Sequence, residues 1–182
     1  SKQLNDVETS KAELESLIDD LTSNMKEIFT ESFNQINNNF KSIFVELFGG
    51  GKAELILTDP SNILESGIEI NVAPPGKVIK SLSLLSGGEQ AFIAIAIYFA
   101  ILKLRPSPFC ILDEIEAALD DVNVAKYAAY LRKFTGTTQF ITITHRRGTM
   151  EEADVLYGVT MQQKGISKLL KMDNTKDINI NE

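Results

Sequence analysis

From Ser1 to Phe48 the chain holds neither proline nor glycine, and apolar residues fall at Leu14, Ile18, Leu21, Met25 and Ile28 in alternating steps of four and three. That spacing is the mark of a heptad helix, because it keeps one apolar stripe on one face. The alternation resumes one position later at Phe29, Phe33, Ile36, Phe40, Ile43 and Leu47, so the seam rotates at Ile28/Phe29 as a phase break makes it do. At 1.5 Å per residue the segment predicts one helix of about 70 Å. A lone amphipathic helix of that length has too little to bury its stripe against, so it calls for a partner helix, in this chain or on another. No second heptad segment follows it in the sequence. Residues 33–47 would also suit a surface helix packed on its own globular domain; residues 1–28 suit that poorly.

Gly49-Gly50-Gly51 ends the helix, and residues 53–58 and 67–72 read as two strands of a small antiparallel sheet around the turn Asp59-Pro60-Ser61-Asn62. A helix is expected from Ser86 to about Leu104-Arg105-Pro106, a buried parallel strand at 109–112, a helix at 122–134 and a β-branched strand at 139–144. A short helix at 149–153 and strands at 155–160 and 166–172 complete the pattern. Strand, helix, strand, helix, strand is an α/β order. Residues 173–182 are polar and patternless and are expected to fray.

Composition narrows the class. With 43% hydrophobic and 24% charged residues the chain is globular rather than disordered. Its 18 basic and 25 acidic residues give a net charge of −7, so contact with DNA would need a local basic patch or a partner. The single cysteine, Cys110, lies in an apolar run and reads as a small buried hydrophobe in a reducing compartment. The most apolar run, 91–102, is shorter than the roughly 20 residues of a membrane span. No secretory pattern opens the chain. A soluble cytoplasmic protein without a membrane partner is expected.

The stretch Leu84-Leu85-Ser86-Gly87-Gly88-Glu89-Gln90 opens the apolar helix. Ser86 with Glu89 three positions later makes a capping box, and Gly87 and Gly88 would leave the first helical amides open to an anion at the positive end of the dipole. Capping boxes also open many helices that bind nothing. Downstream, Asp113-Glu114 stands at the C-terminal end of the 109–112 strand, where open parallel sheets bind ligands. Asp113 suits Mg²⁺ and Glu114 could polarise an attacking water; adjacent acids after a strand also begin ordinary helices. Asp120 or Asp121 is the expected N-cap of the next helix. His145, the only histidine, follows the 139–144 strand. If the two strands are neighbours it shares an edge with the acids, as a donor to a phosphate or an anchor for water. Arg146 and Arg147 add charge beside it, or are simply a solvated pair. Neither Gly51-Lys52 nor Gly76-Lys77 carries the earlier glycine or the following Ser/Thr of the phosphate loop G-x-x-x-x-G-K-[ST].

Leu85-Ser86-Gly87-Gly88-Glu89, the strand ending in Asp113-Glu114, Ala118-Leu119-Asp120 and His145 resemble the signature, Walker B, D-loop and switch histidine of an ATP-binding-cassette ATPase. More narrowly, Phe48-Gly49-Gly50-Gly51-Lys52-Ala53, Thr58-Asp59-Pro60, Pro74-Pro75-Gly76-Lys77, residues 108–120 and Thr144-His145-Arg146-Arg147-Gly148-Thr149-Met150 resemble the C-terminal half of the head of the structural maintenance of chromosomes proteins, of the bacterial condensin type. Gln90 departs from the arginine common there. The resemblance implies an α/β C-terminal lobe of an ABC-type P-loop ATPase head at 49–172, a C-terminal coiled-coil arm at 1–48, and a flexible tail at 173–182.

It also implies the division of labour. The N-terminal half of the same head supplies the missing phosphate loop. A second head, in a homodimer, brings its nucleotide to Ser86, Gly87, Gly88 and Glu89. Asp113 serves Mg²⁺, Glu114 is the base for ATP hydrolysis, His145 senses the γ-phosphate, and Asp120 lies at the contact between heads. Implied partners are a kleisin subunit, with 166–172 at its docking surface, its winged-helix accessory protein, and DNA, in a nucleoid-associated complex that condenses and segregates chromosomes. A transporter-type cassette would need its phosphate loop upstream in the same chain and no heptad arm. A related recombination-repair ATPase is disfavoured by Pro74-Pro75-Gly76-Lys77 and Thr149-Met150. A coiled-coil module with relic motifs is disfavoured by intact Ser86, Asp113, Glu114 and His145.

Overall fold

The computed structural model describes residues 2–76 and 82–173. Of the expected tail at 173–182, Asp173 instead closes the last strand, opposite Val155, and 174–182 lie outside the described residues, as does Lys77 of the Gly76-Lys77 pair. The chain forms two compact units: one from Ser1–Leu84 with Ala96–Arg105, the other from Leu85–Ile95 with Pro106–Glu182.

In the first unit, α1 (Lys2–Phe48) is one unbroken helix. Its stripe is covered progressively past the phase break: Leu14, Ile18, Leu21, Met25 and Ile28 are each at least half-exposed, Phe29, Phe33 and Ile36 are half-buried, and Phe40, Ile43 and Leu47, with Phe44 beside them, are buried. The later half packs on β1 (Lys52–Leu57), which pairs antiparallel with β2 (Ile68–Ala73). Asn37 holds both backbone groups of Leu55, its Oδ1 accepting from Leu55 N at 2.9 Å and its Nδ2 donating to Leu55 O at 3.1 Å. The edge of β1 is thereby occupied at that point, which is how an otherwise open strand edge is closed. Gly51 takes φ +87°, and a Cβ there would run into Ala73 O, so the helix-to-strand turn requires glycine. This accounts for Gly51-Lys52 as structure rather than a phosphate loop. Asp59 accepts from the side chain and backbone of Ser61 and from Asn62 N, which lowers its pKa and fixes the expected turn.

α2 (Gly87–Leu104) follows the short 3-10 turn Leu82–Leu84. By length and composition it is the one described helix that could cross a bilayer, longer than the 91–102 run suggested. Its buried Phe92, Ile93, Ile95, Ala96 and Phe99 make it a core helix.

In the second unit, β3 (Phe109–Asp113) and β4 (Gln139–Ile143) pair in parallel, with Ile111 opposite Ile141 and Asp113 opposite Ile143. α3 (Asp121–Arg132) and α4 (Arg147–Glu152) pack on each other, and a Cβ on Gly148 would meet Val124 Cγ1 at 3.1 Å. Two expectations need correction. The β3 strand is not buried: Phe109, Ile111, Ile141 and Ile143 are 56%, 59%, 49% and 53% exposed on one face, while Leu112 on the other is covered. Cys110 is only half-buried. The expected last strands form as β5 (Val155–Gln163) and β6 (Ile166–Asp173), which pair with each other as an antiparallel hairpin.

Candidate functional site

At the head of α2 the capping box forms as its residue types require. Ser86 Oγ accepts from Glu89 N at 3.3 Å, and Glu89 Oε2 accepts from Ser86 N at 3.1 Å. Gln90 Nε2 donates to Leu85 O at 3.2 Å, so the residue that departs from the family pattern braces the turn from within. The two glycines have different reasons to be there. A Cβ on Gly88 would press on Ala118 O at 3.0 Å, so Gly88 lets the α2 start approach the turn after β3. A Cβ on Gly87 would meet nothing within 4 Å. Nothing in the chain's own packing demands glycine at 87, and among the described residues no hydrogen bond engages the amide of Gly87 or Gly88. Bare amides at a helix N-terminus beside an unfilled Cβ position form a cradle that suits a phosphate oxygen.

The neighbouring strands β3 and β4 bring the acids and the histidine together. Glu114 has φ +48°, the only positive value at a non-glycine among the described residues, and its N–H is held by Ile143 O at 2.9 Å. A glutamate held in the left-handed region costs free energy, and such residues cluster at functional sites. Its Oε1 lies 3.2 Å from His145 Nδ1, with both side chains more than half-exposed. Asp113 emerges at the C-terminal edge of the exposed sheet face that carries Phe109 and Ile111. Among the described residues no group of three or more His, Cys, Asp or Glu side chains converges as a metal site. Mg²⁺ at phosphate sites is held by one or two carboxylates plus substrate phosphates and water, so the single Asp113 carboxylate fits the chain's share of such a site.

Asp120, not Asp121, is the N-cap of α3, accepting from Asn123 N at 2.8 Å. Arg146 and Arg147 are not an equivalent solvated pair. Arg146 donates to Leu119 O at 2.7 Å and to Asp121 Oδ1 at 3.0 Å, joining the segment after β4 to the turn after β3. Arg147 bridges Glu151 on the surface of α4. The residue sequence reasoning missed is Glu116, 1% exposed, whose Oε1 accepts from the hydroxyls of Thr144 and Thr149. An acid two positions after Asp113-Glu114 gives no sequence signal of burial.

The family model described as RecF/RecN/SMC N terminal domain matches residues 1–168. The chain is 54% identical over 179 residues to the Chromosome partition protein Smc of Bacillus subtilis (strain 168), covering 97% of this chain and 15% of that protein. It thus spans about one seventh of the length of the curated relatives it matches. Among solved structures, it superposes with TM-score 0.76 and 41% identity on one from work on ATP-driven dimerization and DNA-stimulated activation of SMC ATPases, covering 82% of this chain and 90% of that one. It superposes with TM-score 0.78 and 40% identity on the Smc head domain with an extended coiled coil bound to the C-terminal domain of ScpA, derived from Pyrococcus furiosus, covering 87% of this chain and 39% of that one. The mixed helix and strand architecture is that of these ABC-type P-loop ATPase heads with their coiled coil. The chain belongs to the RecF/RecN/SMC family, as a piece of a structural maintenance of chromosomes head.

Proposed function

We propose that the chain is the C-terminal half of an ATPase head, with 1–48 as the coiled-coil arm and 49–172 as the catalytic lobe, working in cytoplasmic chromosome segregation. The observation that carries this is the pairing of Glu114 Oε1 with His145 Nδ1 at 3.2 Å, at the adjacent C-terminal ends of two parallel strands. In this reading Glu114 takes a proton from the water that attacks the γ-phosphate of ATP. His145 orients that water or donates to the phosphate. Asp113 would hold Mg²⁺, which when bound neutralises phosphate charge. Asp120 would sit at the contact with a second head.

The open face of β3 and β4 supports a missing half. Two parallel strands alone are not a stable sheet, and parallel sheets are covered on both faces. The N-terminal half of the same head, bearing the phosphate loop, is the proposed cover. In the same way, the exposed stripe at Leu14, Ile18, Leu21, Met25 and Ile28 would be covered by the returning helix of the arm.

Ser86 to Glu89 would grip the γ-phosphate of ATP held by the opposite head. The test is Gly87→Asp in the complete protein, which sets a carboxylate where the phosphate would lie and where the chain itself leaves room. ATP-dependent head association, measured by site-directed cross-linking, should fall by on the order of 100-fold, as like charges brought together in a closed site oppose binding by several kcal/mol. The melting temperature should be unchanged. Undiminished association would remove the turn from the nucleotide site.

A kleisin subunit, with its winged-helix accessory protein and DNA as further members of the complex, is proposed to dock on the β5/β6 hairpin. Opposed pairs place Val159 and Leu169 on one face and Leu170 on the other, 73%, 63% and 50% exposed. Leu169→Asp with Leu170→Asp should weaken kleisin binding at least ~100-fold in a pull-down or calorimetric titration, the scale of hot-spot truncation. Full binding by that variant would remove the hairpin from this role.

A further inference from the structure

Glu116 does not pack like a residue chosen for stability. Its side chain is 1% exposed, Oε1 accepts from both hydroxyls, of Thr144 and of Thr149 at 2.9 Å, and the buried Oε2 has no hydrogen-bond partner among the described residues. A buried carboxylate half-satisfied in this way is less favourable than an apolar side chain of similar volume. A group of this kind in a native fold calls for an account beyond packing.

What it holds gives that account. Thr144 immediately precedes His145, and Thr144 Oγ1 in turn accepts from Arg146 N at 3.0 Å. Thr149 lies in α4, beyond the turn that carries the histidine. One carboxylate oxygen therefore ties down both sides of residues 145–148. Glu116 itself stands two residues after Glu114, in a tight turn closed by Ala117 N to Glu114 O at 3.0 Å and Leu119 N to Glu116 O at 2.9 Å. Arg146 makes a second tie across the same two segments through Leu119 O. Glu114 and His145, both exposed at their tips, are thus anchored to one buried point.

We propose that Glu116 is a positioning residue for hydrolysis, setting the distance between His145 and Glu114 through the hydroxyls of Thr144 and Thr149. The inference rests on the ATPase reading above. The acceptor oxygen is what matters, not the charge, because both contacts are to neutral hydroxyls. Glu116→Gln keeps an oxygen that accepts both, and Glu116→Ala removes it.

The test uses the complete protein and steady-state ATP turnover for Glu116→Ala, Glu116→Gln and Thr144→Val, each alone and with His145→Ala. Misplacement of a catalytic group by about 1 Å costs on the order of 100-fold. Glu116→Ala and Thr144→Val should therefore lower kcat by roughly 10–100-fold, with KM for ATP unchanged. Glu116→Gln should restore most of the rate. With His145 already replaced by Ala, adding Glu116→Ala should cost nothing further, since its effect runs through the histidine.

Equal losses with and without His145, a raised KM at full kcat, or full activity of Glu116→Ala would each overturn the proposal. Should Glu116→Ala fail to fold, Thr144→Val, a change at a half-buried position, carries the same predictions. Glu114→Gln serves as the reference. If it stops turnover while the Glu116 series behaves additively, only the positioning role falls. If Glu114→Gln and His145→Ala both leave turnover intact, the ATPase reading falls and takes this inference with it.

Discussion

Glu114→Gln in the assembled head should leave ATP binding and head engagement in place while lowering turnover by on the order of 10²–10⁴-fold, the usual contribution of a positioned general base. That corresponds to about 2.7–5.5 kcal/mol of transition-state stabilisation. The substitution is close to isosteric. The amide oxygen or nitrogen can still meet His145 Nδ1, now 3.2 Å from Glu114 Oε1, so geometry is retained and only the capacity to accept a proton is lost. Loss of the fold is not the cause to expect, because both partners are more than half-exposed and exposed pairs of this kind contribute about 0–1 kcal/mol to stability. Single-turnover hydrolysis beside ATP-dependent cross-linking of heads would separate the two effects. An unchanged hydrolysis rate would remove Glu114 as the base.

The second large effect concerns the chain by itself. It should hydrolyse no ATP above the uncatalysed background, and a polypeptide carrying G-x-x-x-x-G-K-[ST] should restore hydrolysis. Two observations lead there. Gly51-Lys52, one of the two Gly-Lys pairs, forms the start of β1, with Lys52 paired opposite Ala73. The acids and the histidine instead edge a sheet face whose apolar side chains, Phe109, Ile111, Ile141 and Ile143, remain about half-exposed. Complete burial of such a side chain yields about 1.5–3 kcal/mol. A second half that covered the four would gain a substantial fraction of that at each, enough to drive stable association. Positioning dominates phosphoryl transfer, so a half-site without the loop that holds the phosphates lacks most of what catalysis requires.

Much of this was legible in the sequence because the signals are local. The heptad steps name the helix, and the change of seam at Ile28/Phe29 falls where the stripe passes from exposed to half-buried, with full burial from Phe40 on. Ser86 and Glu89 name their own capping box. Asp113, Glu114 and His145 are readable as strand-end residues, and the parallel pairing of β3 with β4 is what makes them neighbours. What escaped depends on distant contacts. The burial of Glu116 is set by Thr144 and Thr149, 28 and 33 residues away. The difference between Arg146 and Arg147 is set by Leu119 and Asp121. The strained backbone of Glu114 has no signature in residue type. The apolar burst at Phe109 to Leu112 announced a buried strand, but hydrophobicity does not say whether the cover comes from the same polypeptide. The hairpin of β5 and β6 paired locally because the two strands meet through the turn at Gly165, φ +85°.

Whether this chain is half of a composite ATPase site is decided by measuring ATP hydrolysis by the purified chain alone, by the phosphate-loop half alone, and by the two mixed. Each half alone should run at the background rate, and the mixture should show a turnover that disappears again when Glu114 is replaced by Gln. Turnover by the chain alone, or by a mixture indifferent to Glu114→Gln, would show that the site is not shared between the two halves.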